Sequence, residues 1–146
     1  AAMADMTITI REPHAWPVTY VDKGLDATVN WPNLDFQFRN DKKTPVFIVA
    51  SYHDKKLTVE MYGMRLGNGE SIKLETELVS TTQPPQEPKY EQNPSLPPGF
   101  QQEKRQARTG YLVNTYRVYL RNGQEIRRET LCTSNYRAIQ QVIEFN

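Results

Sequence analysis

The residues of this chain that suggest chemistry begin with a histidine and the carboxylates that follow it. A nucleophile–base site needs an imidazole that a carboxylate orients. His14 precedes a Trp-Pro step, and Asp26 and Asp35 follow within reach in a compact sheet. His14 is therefore a candidate general base, with Asp26 or Asp35 as its orienting carboxylate. The alternative is a structural role, since a lone histidine beside a proline is more often a hydrogen-bonding residue than a catalyst.

The other groups with reactive or metal-binding potential give weaker signals. His53 shares a predicted turn with charged residues, which is typical of solvated surface. Cys132, the single cysteine, falls at an inward position of a predicted strand, which favours a small core residue over a nucleophile. Two histidines far apart in the chain do not give the ligand spacing of a zinc site, and phosphate-binding glycine loops are absent. We predict no metal and no cofactor, although an aspartate-rich oxygen site stays open.

Three aromatic residues in the first third of the chain form a candidate platform for stacking sugar rings. They are Trp16, Tyr20 and Trp31. The side chains that would add hydrogen bonds to a sugar flank them, namely Asp26, Asn30, Asn33 and Asp35. Stacked aromatics with a few convergent polar groups are the arrangement that carbohydrate binding requires. Packing in a core is the alternative role for each aromatic.

The bulk composition restricts the classes of partner. A chain of 146 residues fits one domain, or one domain with a small appendage. The net charge of +1 gives no overall field toward nucleic acid, so we predict no nucleic-acid partner. No run of 18 apolar residues is present, so this segment is not predicted to insert into a membrane.

The charges are distributed unevenly. Residues 101–146 carry eight Lys and Arg against four Glu, a net of +4. Arg117, Arg127 and Arg128 lie on the predicted strands of this part and are candidate anion-binding residues. A solvated basic strand face is the alternative.

The hydrophobic pattern predicts a mainly β fold. Alternating residues predict strands at 7–10, 34–39 and 57–62, and shorter runs predict strands at 18–21 and 27–31. The apolar, β-branched run 46–50 predicts a central strand that is buried on both faces. Residues 81–100 hold six of the ten prolines and predict an extended connector.

The last part of the chain predicts a long β-hairpin around Asn122-Gly123, the strongest short hairpin signal. A two-residue turn would pair Tyr119 with Ile126. A three-residue loop would pair Val118 with Ile126, and we prefer it because it gathers apolar residues on one face. That predicted inward face consists of Leu112, Tyr116, Val118 and Leu120. The predicted architecture is an antiparallel sheet at 1–80, a Pro-rich linker at 81–100 and a C-terminal β-hairpin module at 101–146.

Several blocks of this sequence, in order, resemble the C-terminal half of a VanW-like domain. They are Pro13-His-Ala-Trp-Pro-Val-Thr-Tyr-Val21, Gly24-Leu-Asp-Ala-Thr-Val29, Leu34-Asp-Phe-Gln-Phe-Arg-Asn40, Pro45-Val-Phe-Ile48 and Leu57-Thr-Val-Glu-Met-Tyr-Gly63. Later blocks are similar to the tail of those proteins and to the five-glycine surface domain often attached to them. These are Leu96-Pro-Pro-Gly99, Gly110-Tyr111, Thr115-Tyr-Arg-Val-Tyr119, Asn122-Gly-Gln-Glu125 and Thr133-Ser-Asn-Tyr136.

The resemblance implies an extracytoplasmic protein of the cell envelope of a Gram-positive-type bacterium, membrane-anchored at full length and associated with B-type vancomycin resistance. The five-glycine domain implies contact with wall polymers that contain N-acetylglucosamine. The glycine-rich first half of the family's domain, which leads to a Cys-Gln pair, is absent, so we expect a fragment or a processed product. Cys132 stands where the family usually has serine, which argues against required chemistry at that position.

The resemblance and the residues together favour a non-catalytic module that binds peptidoglycan or another wall glycan. Its predicted contact residues are Trp16, Tyr20, Trp31 and Asn33, with Arg117, Arg127 and Arg128 toward an anionic polymer. The alternative is half of a cell-wall-acting enzyme. In that case His14 is the general base for a nucleophile on the missing segment. A third reading is an extracellular spacer, and the oligomeric state stays open.

Overall fold

The computed structural model describes all 146 residues, and its fold is mainly β, as predicted. The strands are β1 (Thr7–Ile10), β2 (Gln37–Arg39), β3 (Phe47–His53), β4 (Lys56–Tyr62), β5 (Glu70–Thr82), β6 (Lys89–Gln92), β7 (Gln101–Arg105), β8 (Gly110–Arg121), β9 (Gln124–Tyr136) and β10 (Val142–Phe145). A short 3₁₀ turn, Ala2–Ala4, precedes them. No helix of the structure is long and apolar enough to cross a bilayer.

The strands form four small sheets, and most of the pairing is antiparallel. β1 pairs with β2, β3 pairs with β4, and β8 lies between β5 and β9. In the fourth sheet β10 lies between β6 and β7, antiparallel to β7 but parallel to β6.

The chain divides into two compact units that draw on separate stretches of sequence. Unit 1 consists of Ala1–Glu12, Ala27–Glu75 and Thr115–Leu131. Unit 2 consists of Pro13–Asp26, Thr76–Asn114 and Cys132–Asn146. The boundaries fall within β5, β8 and β9, so each of these strands contributes residues to both units.

The prediction that 46–50 is a central strand buried on both faces is wrong. All seven residues of β3 are exposed, and Phe47 is 70% exposed. A strand-forming pattern does not specify what will cover the strand, and β3 pairs only with β4. The two strands meet at a tight turn in which Asp54 and Lys55 have φ values of 48° and 60°, as a two-residue hairpin turn of type I′ requires.

The predicted short strands at 18–21 and 27–31 do not form. The first is irregular, and the second is reduced to a single bridge between Asn30 and Leu34. The strand predicted at 34–39 is shortened to β2. Prolines 17 and 32 lie beside these segments and lack the N–H that a strand ladder needs, which is consistent with the loss of regular pairing.

The predicted Pro-rich linker, 81–100, contains more pairing than an extended connector would have. β5 continues to Thr82, and β6 lies inside the segment. The amide of Lys89 donates to the carbonyl of Gln141 at 2.9 Å, and that of Asn93 donates to the carbonyl of Phe145 at 2.8 Å. The boundaries 1–80, 81–100 and 101–146 stay a prediction.

The hairpin of β8 and β9 closes with a two-residue turn, so the preferred three-residue loop is wrong. Asn122 and Gly123 both have positive φ, 50° and 80°, which gives a type I′ turn because asparagine tolerates the left-handed region. The amide of Asn122 also donates to the carbonyl of Gly69 at 2.8 Å. This bond gives the turn an additional anchor in unit 1.

The inward face of β8 also differs from the predicted one. Val113, Thr115 and Arg117 are buried at alternate positions, and Val118 is fully buried as predicted. Leu112, Tyr116 and Leu120 are only partly covered. The apolar content of the strand does not reveal this, because one of its buried side chains is an arginine.

Arg117 is the centre of a polar cluster in unit 1. It is 5% exposed, and its Nη2 donates to the carbonyl of Met6 at 2.6 Å. Its Nη1 lies 3.3 Å from oxygens of Asp5 and of Glu129. A buried guanidinium is tolerated only when such partners replace water.

The carboxylate of Asp5 completes the cluster. The hydroxyl of Tyr119 donates to it at 2.7 Å, and Lys42 forms an ion pair with it. Burial acts to raise the pKa of Asp5, but hydrogen bonds from Lys42 and Tyr119 outweigh it, and the pKa lies below its ordinary value. Asp5 therefore remains the counter-ion of the cluster at neutral pH.

Replacing Arg117 should destabilise the protein, because its buried partners would lose their cation. We expect Arg117→Met to lower the free energy of unfolding by roughly 2 kcal/mol, below the usual cost of breaking a buried pair because Asp5 and Glu129 retain some solvent contact. Arg121→Met is the control, since Arg121 is exposed and pairs with Glu70 alone. Urea titration of both variants measures the difference, and equal midpoints would contradict the assigned role.

Acid should weaken the sheet of β6, β10 and β7 through Glu91. Hydrogen bonds from Lys104 and Lys89, both 2.9 Å, lower the pKa of Glu91 from 4.5 to about 2. Because the pKa of Glu91 is depressed in the folded state, its carboxylate contributes fully to the stability of the fold above pH 4.5. This contribution is lost as the pH falls toward 2. The stability difference between wild type and Glu91→Gln, followed by thermal melts, should therefore shrink between pH 6 and pH 2. Glu87→Gln is the control, because Glu87 forms no ion pair, and its difference should stay flat.

Candidate functional site

The loop Pro13–Asp26 carries most of the predicted site residues, and it belongs to unit 2. It contains no strand, and Pro13 and Pro17 limit the hydrogen bonds that its backbone forms. Near its end the amide of Leu25 donates to the carbonyl of Asp22 at 3.0 Å, and Gly24 takes a φ of 92°. Glycine adopts this left-handed conformation without strain, so the chain turns sharply into Asp26.

Asp26 is the buried centre of this loop. It is 3% exposed, and its Oδ2 accepts the backbone N–H of His14 at 2.7 Å and lies 2.9 Å from His14 Nδ1. Its Oδ1 accepts a hydrogen bond from the hydroxyl of Tyr136. That hydroxyl in turn accepts the N–H of Gly24 at 2.7 Å. The carboxylate thus joins both ends of the loop to the last residue of β9.

The two candidate aspartates differ in their contacts with His14. Asp26 contacts the ring, whereas the oxygens of Asp35, in unit 1, accept from the amide of Phe36 and the side chain of Gln37, both at 2.8 Å. With Nδ1 toward a carboxylate, the neutral ring carries its proton on Nδ1 and leaves Nε2 as a base. His14 is partly exposed, and Tyr20 packs against it edge to face at a centroid distance of 6.4 Å.

An open groove of about 370 Å³ lies beside this cluster in unit 2. Its lining residues are Trp16, Pro17, Val18, Thr19, Lys23, Arg108, Thr109 and Tyr111. The guanidinium of Arg108 lies 4.7 Å from the ring centroid of Trp16, and the ammonium of Lys23 lies 4.7 Å from that of Tyr111. We call this feature the Trp16 groove.

The predicted aromatic platform is divided between the two units. Trp16 and Tyr20 belong to unit 2, where Trp16 is 45% exposed and Tyr20 is more exposed still. Trp31 and Asn33 belong to unit 1, in a tight turn where the amide of Asn33 donates to the carbonyl of Asn30 at 2.9 Å. Trp31 is 76% exposed and precedes a cis proline.

The three predicted anion-binding arginines all have glutamate partners in unit 1. Arg117 is buried in the cluster described above. Arg127 lies 3.7 Å from the ring centroid of Tyr119 and 3.5 Å from Glu129.

Arg128 is the most strongly paired of the three. It bonds Glu125 at 2.9 Å and Glu75 at 2.6 Å. The bonds to Glu125 and then Glu75 raise its pKa. Little of the positive charge of these arginines is left without a counter-ion.

The cations that lie in the groove are Lys23 and Arg108, which sequence reasoning missed. Their positions in the chain are too far apart for a motif to group them. Tyr136 was missed for the same reason, since it lies 110 positions from Asp26. A tyrosine at the end of a predicted strand does not indicate which carboxylate its hydroxyl will bond in the folded protein.

The two other candidates with reactive side chains, His53 and Cys132, lie outside the loop Pro13–Asp26. His53 is exposed in the turn between β3 and β4, where its Nδ1 lies 2.9 Å from Asp54. Cys132, the single cysteine, is partly covered on β9. No group of three or more His, Cys, Asp or Glu side chains in the 146 residues is placed to hold a metal ion.

Comparison with known proteins confirms the resemblance drawn from the sequence. Residues 1–62 match the family model described as VanW like protein, and residues 75–145 match the G5 domain, the five-glycine domain. A Bacillus subtilis (strain 168) relative, "Uncharacterized protein YoaR", is 32% identical over 71 residues. That match covers 49% of this chain but only 23% of the relative.

Two solved G5 structures are also similar to part of the chain. The IgA1 protease G5 domain is 22% identical with a TM-score of 0.30, covering 54% of this chain and 93% of its own. HP0197-G5 is 14% identical with a TM-score of 0.25, covering 52% and 99%. By the family models alone, residues 1–62 are similar to VanW-like proteins and residues 75–145 are similar to G5 domains.

Proposed function

We propose that this chain is an extracytoplasmic cell-envelope module that binds a wall glycan, such as peptidoglycan, through the Trp16 groove. The observation that carries the proposal is the pairing of two accessible aromatic rings with two cations along one open groove. Aromatic faces stack on the apolar faces of sugar rings, and the groove volume lies within the range of small-ligand sites.

The family relations support the compartment and the class of ligand. The resemblance to VanW-like and five-glycine domains implies a place in the envelope of a Gram-positive-type bacterium and a wall polymer as partner. In this proposal the full-length protein is membrane-anchored, and contact with the wall is what connects the family to glycopeptide resistance. The chain spans 23% of the length of its YoaR relative, so the whole protein's activity is part of the proposal.

In this proposal the predicted aromatic residues do not all have the same role. Trp16 lines the groove, and Tyr20 follows the lining residue Thr19 in the same loop, so both are contact residues in this proposal. Trp31 and Asn33 form a separate exposed turn in unit 1, which would supply a second, weaker contact. Arg127 and Arg128 keep a minor role, since their glutamate partners compete with any outside anion.

Removing the ring of Trp16 should weaken wall binding. We expect Trp16→Ala to reduce affinity for purified peptidoglycan about tenfold, because one stacking surface worth roughly 1.4 kcal/mol is lost. Co-sedimentation with peptidoglycan measures the bound fraction. Trp31→Ala is the matched control and should cost less. If Trp16→Ala binds like wild type, the groove is not the glycan site.

The second candidate function is half of a cell-wall-acting enzyme. The specific observation in its favour is the contact between His14 Nδ1 and the buried carboxylate of Asp26. A carboxylate in this position fixes the ring and stabilises the imidazolium that forms when Nε2 takes a proton. The nucleophile would come from the family's glycine-rich segment with its Cys-Gln pair.

This hypothesis predicts a fixed tautomer for His14. Nitrogen-15 NMR at a pH where the ring is neutral should show the proton on Nδ1 and an unprotonated Nε2. His53 is the internal comparison, because its Nδ1 also lies 2.9 Å from a carboxylate but both groups are exposed, so water should compete and the tautomer should be less fixed than that of His14. If the neutral ring of His14 carries its proton on Nε2, that nitrogen is not available as a base and the general-base role is contradicted. With the upstream family segment supplied, activity on wall material should appear and should vanish in His14→Ala.

A further inference from the structure

Several cations of this protein are paired with carboxylates. Arg121 and Arg128 are bonded to glutamates at 2.7 and 2.6 Å, and Lys104 is bonded to Glu91 at 2.9 Å. Lys23 and Arg108 have no such partner. Their charged groups lie over the rings of Tyr111 and Trp16 instead.

The groove around these two cations contains no acidic side chain. Its lining is aromatic, apolar, hydroxyl-bearing or cationic. Two positive charges without a counter-ion at one site leave a local potential that favours an anion. A neutral sugar could stack on the rings but would leave both cations without a counter-ion.

The backbone holds both cations in place. Arg108 forms an isolated bridge with Ile139, in which each amide donates to the other's carbonyl at 2.9 Å. Lys23 lies within the turn closed by Asp22 and Leu25, directly before Gly24. The side chains are further restrained by their cation–π contacts with the rings. The donor groups therefore need little reordering when a ligand arrives.

We propose that the ligand of the Trp16 groove is an anionic sugar polymer whose oxyanion, a carboxylate or a phosphate, is bound by Lys23 and Arg108. This inference rests on the proposed glycan-binding function and specifies its ligand. The fork of the guanidinium binds two oxygens of such a group, and the ammonium adds a point charge. The ring of Trp16 beneath Arg108 contacts the sugar that carries the group.

The wall offers two sources of this chemistry, and three probes distinguish them. Intact walls carry both peptidoglycan carboxylates and phosphodiester-linked polymer. Walls stripped of the phosphodiester polymer keep the carboxylates alone. A soluble oligomer of N-acetylglucosamine is neutral. Binding lost on stripping identifies phosphate, and binding kept on stripping identifies carboxylate; either result supports an oxyanion ligand when the neutral oligomer binds weakly.

The decisive variant is the double substitution Lys23→Gln with Arg108→Gln. We expect it to weaken binding to intact walls about tenfold at low salt and to remove the salt dependence that wild type shows. Binding to the neutral oligomer should not change. Lys23→Arg with Arg108→Lys keeps both charges and should restore most of the affinity. Arg121→Gln removes a paired cation of unit 1 and should behave like wild type, and melting curves confirm that each variant is folded.

The outcomes separate this inference from the function on which it rests. If Trp16→Ala weakens binding to walls but the double variant does not, the oxyanion inference is overturned and the glycan-binding function stands. If wild type binds the neutral oligomer as tightly as intact walls, the inference is also overturned. If wild type binds none of the three probes, the proposed function fails, and the inference fails with it.

Discussion

The buried carboxylate of Asp26 is the constraint on which the candidate site depends. A carboxylate at 3% exposure loses the hydration that stabilises its charge, so protein donors must replace water. The backbone and ring of His14 and the hydroxyl of Tyr136 do so. These bonds set the course of the loop Pro13–Asp26. Trp16 and Lys23 lie on that loop, so the bonds of Asp26 help to position two of the residues that line the groove.

The strands were the most predictable part of the fold. Alternation places β1 and β4 correctly, and Asn122-Gly123 marks its hairpin turn. What the pattern does not contain is the environment of each strand. The apolar run of β3 lies at the surface, and the inward face of β8 includes Arg117, because coverage and polar partners come from residues distant in the chain.

The candidate site was predictable only where its members are close in sequence. His14 and Asp26 lie on one short loop and are in contact. The sequence predicts this pair as one of two alternatives, the other being His14 with Asp35. Tyr136 and Arg108 join them only through long-range folding, which a single sequence does not reveal. Trp16 and Trp31 of the predicted aromatic platform fall in different units, which their closeness in sequence does not reveal, and the platform stays a prediction.

That separation gives the molecule two optical labels in contrasting surroundings. Its only tryptophans are Trp16, under the guanidinium of Arg108, and Trp31, which is 76% exposed to water. The indole of Trp31 therefore emits as a solvated ring. With Trp31→Phe, the remaining emission comes from the groove alone, and the chain becomes its own fluorescent sensor of occupancy.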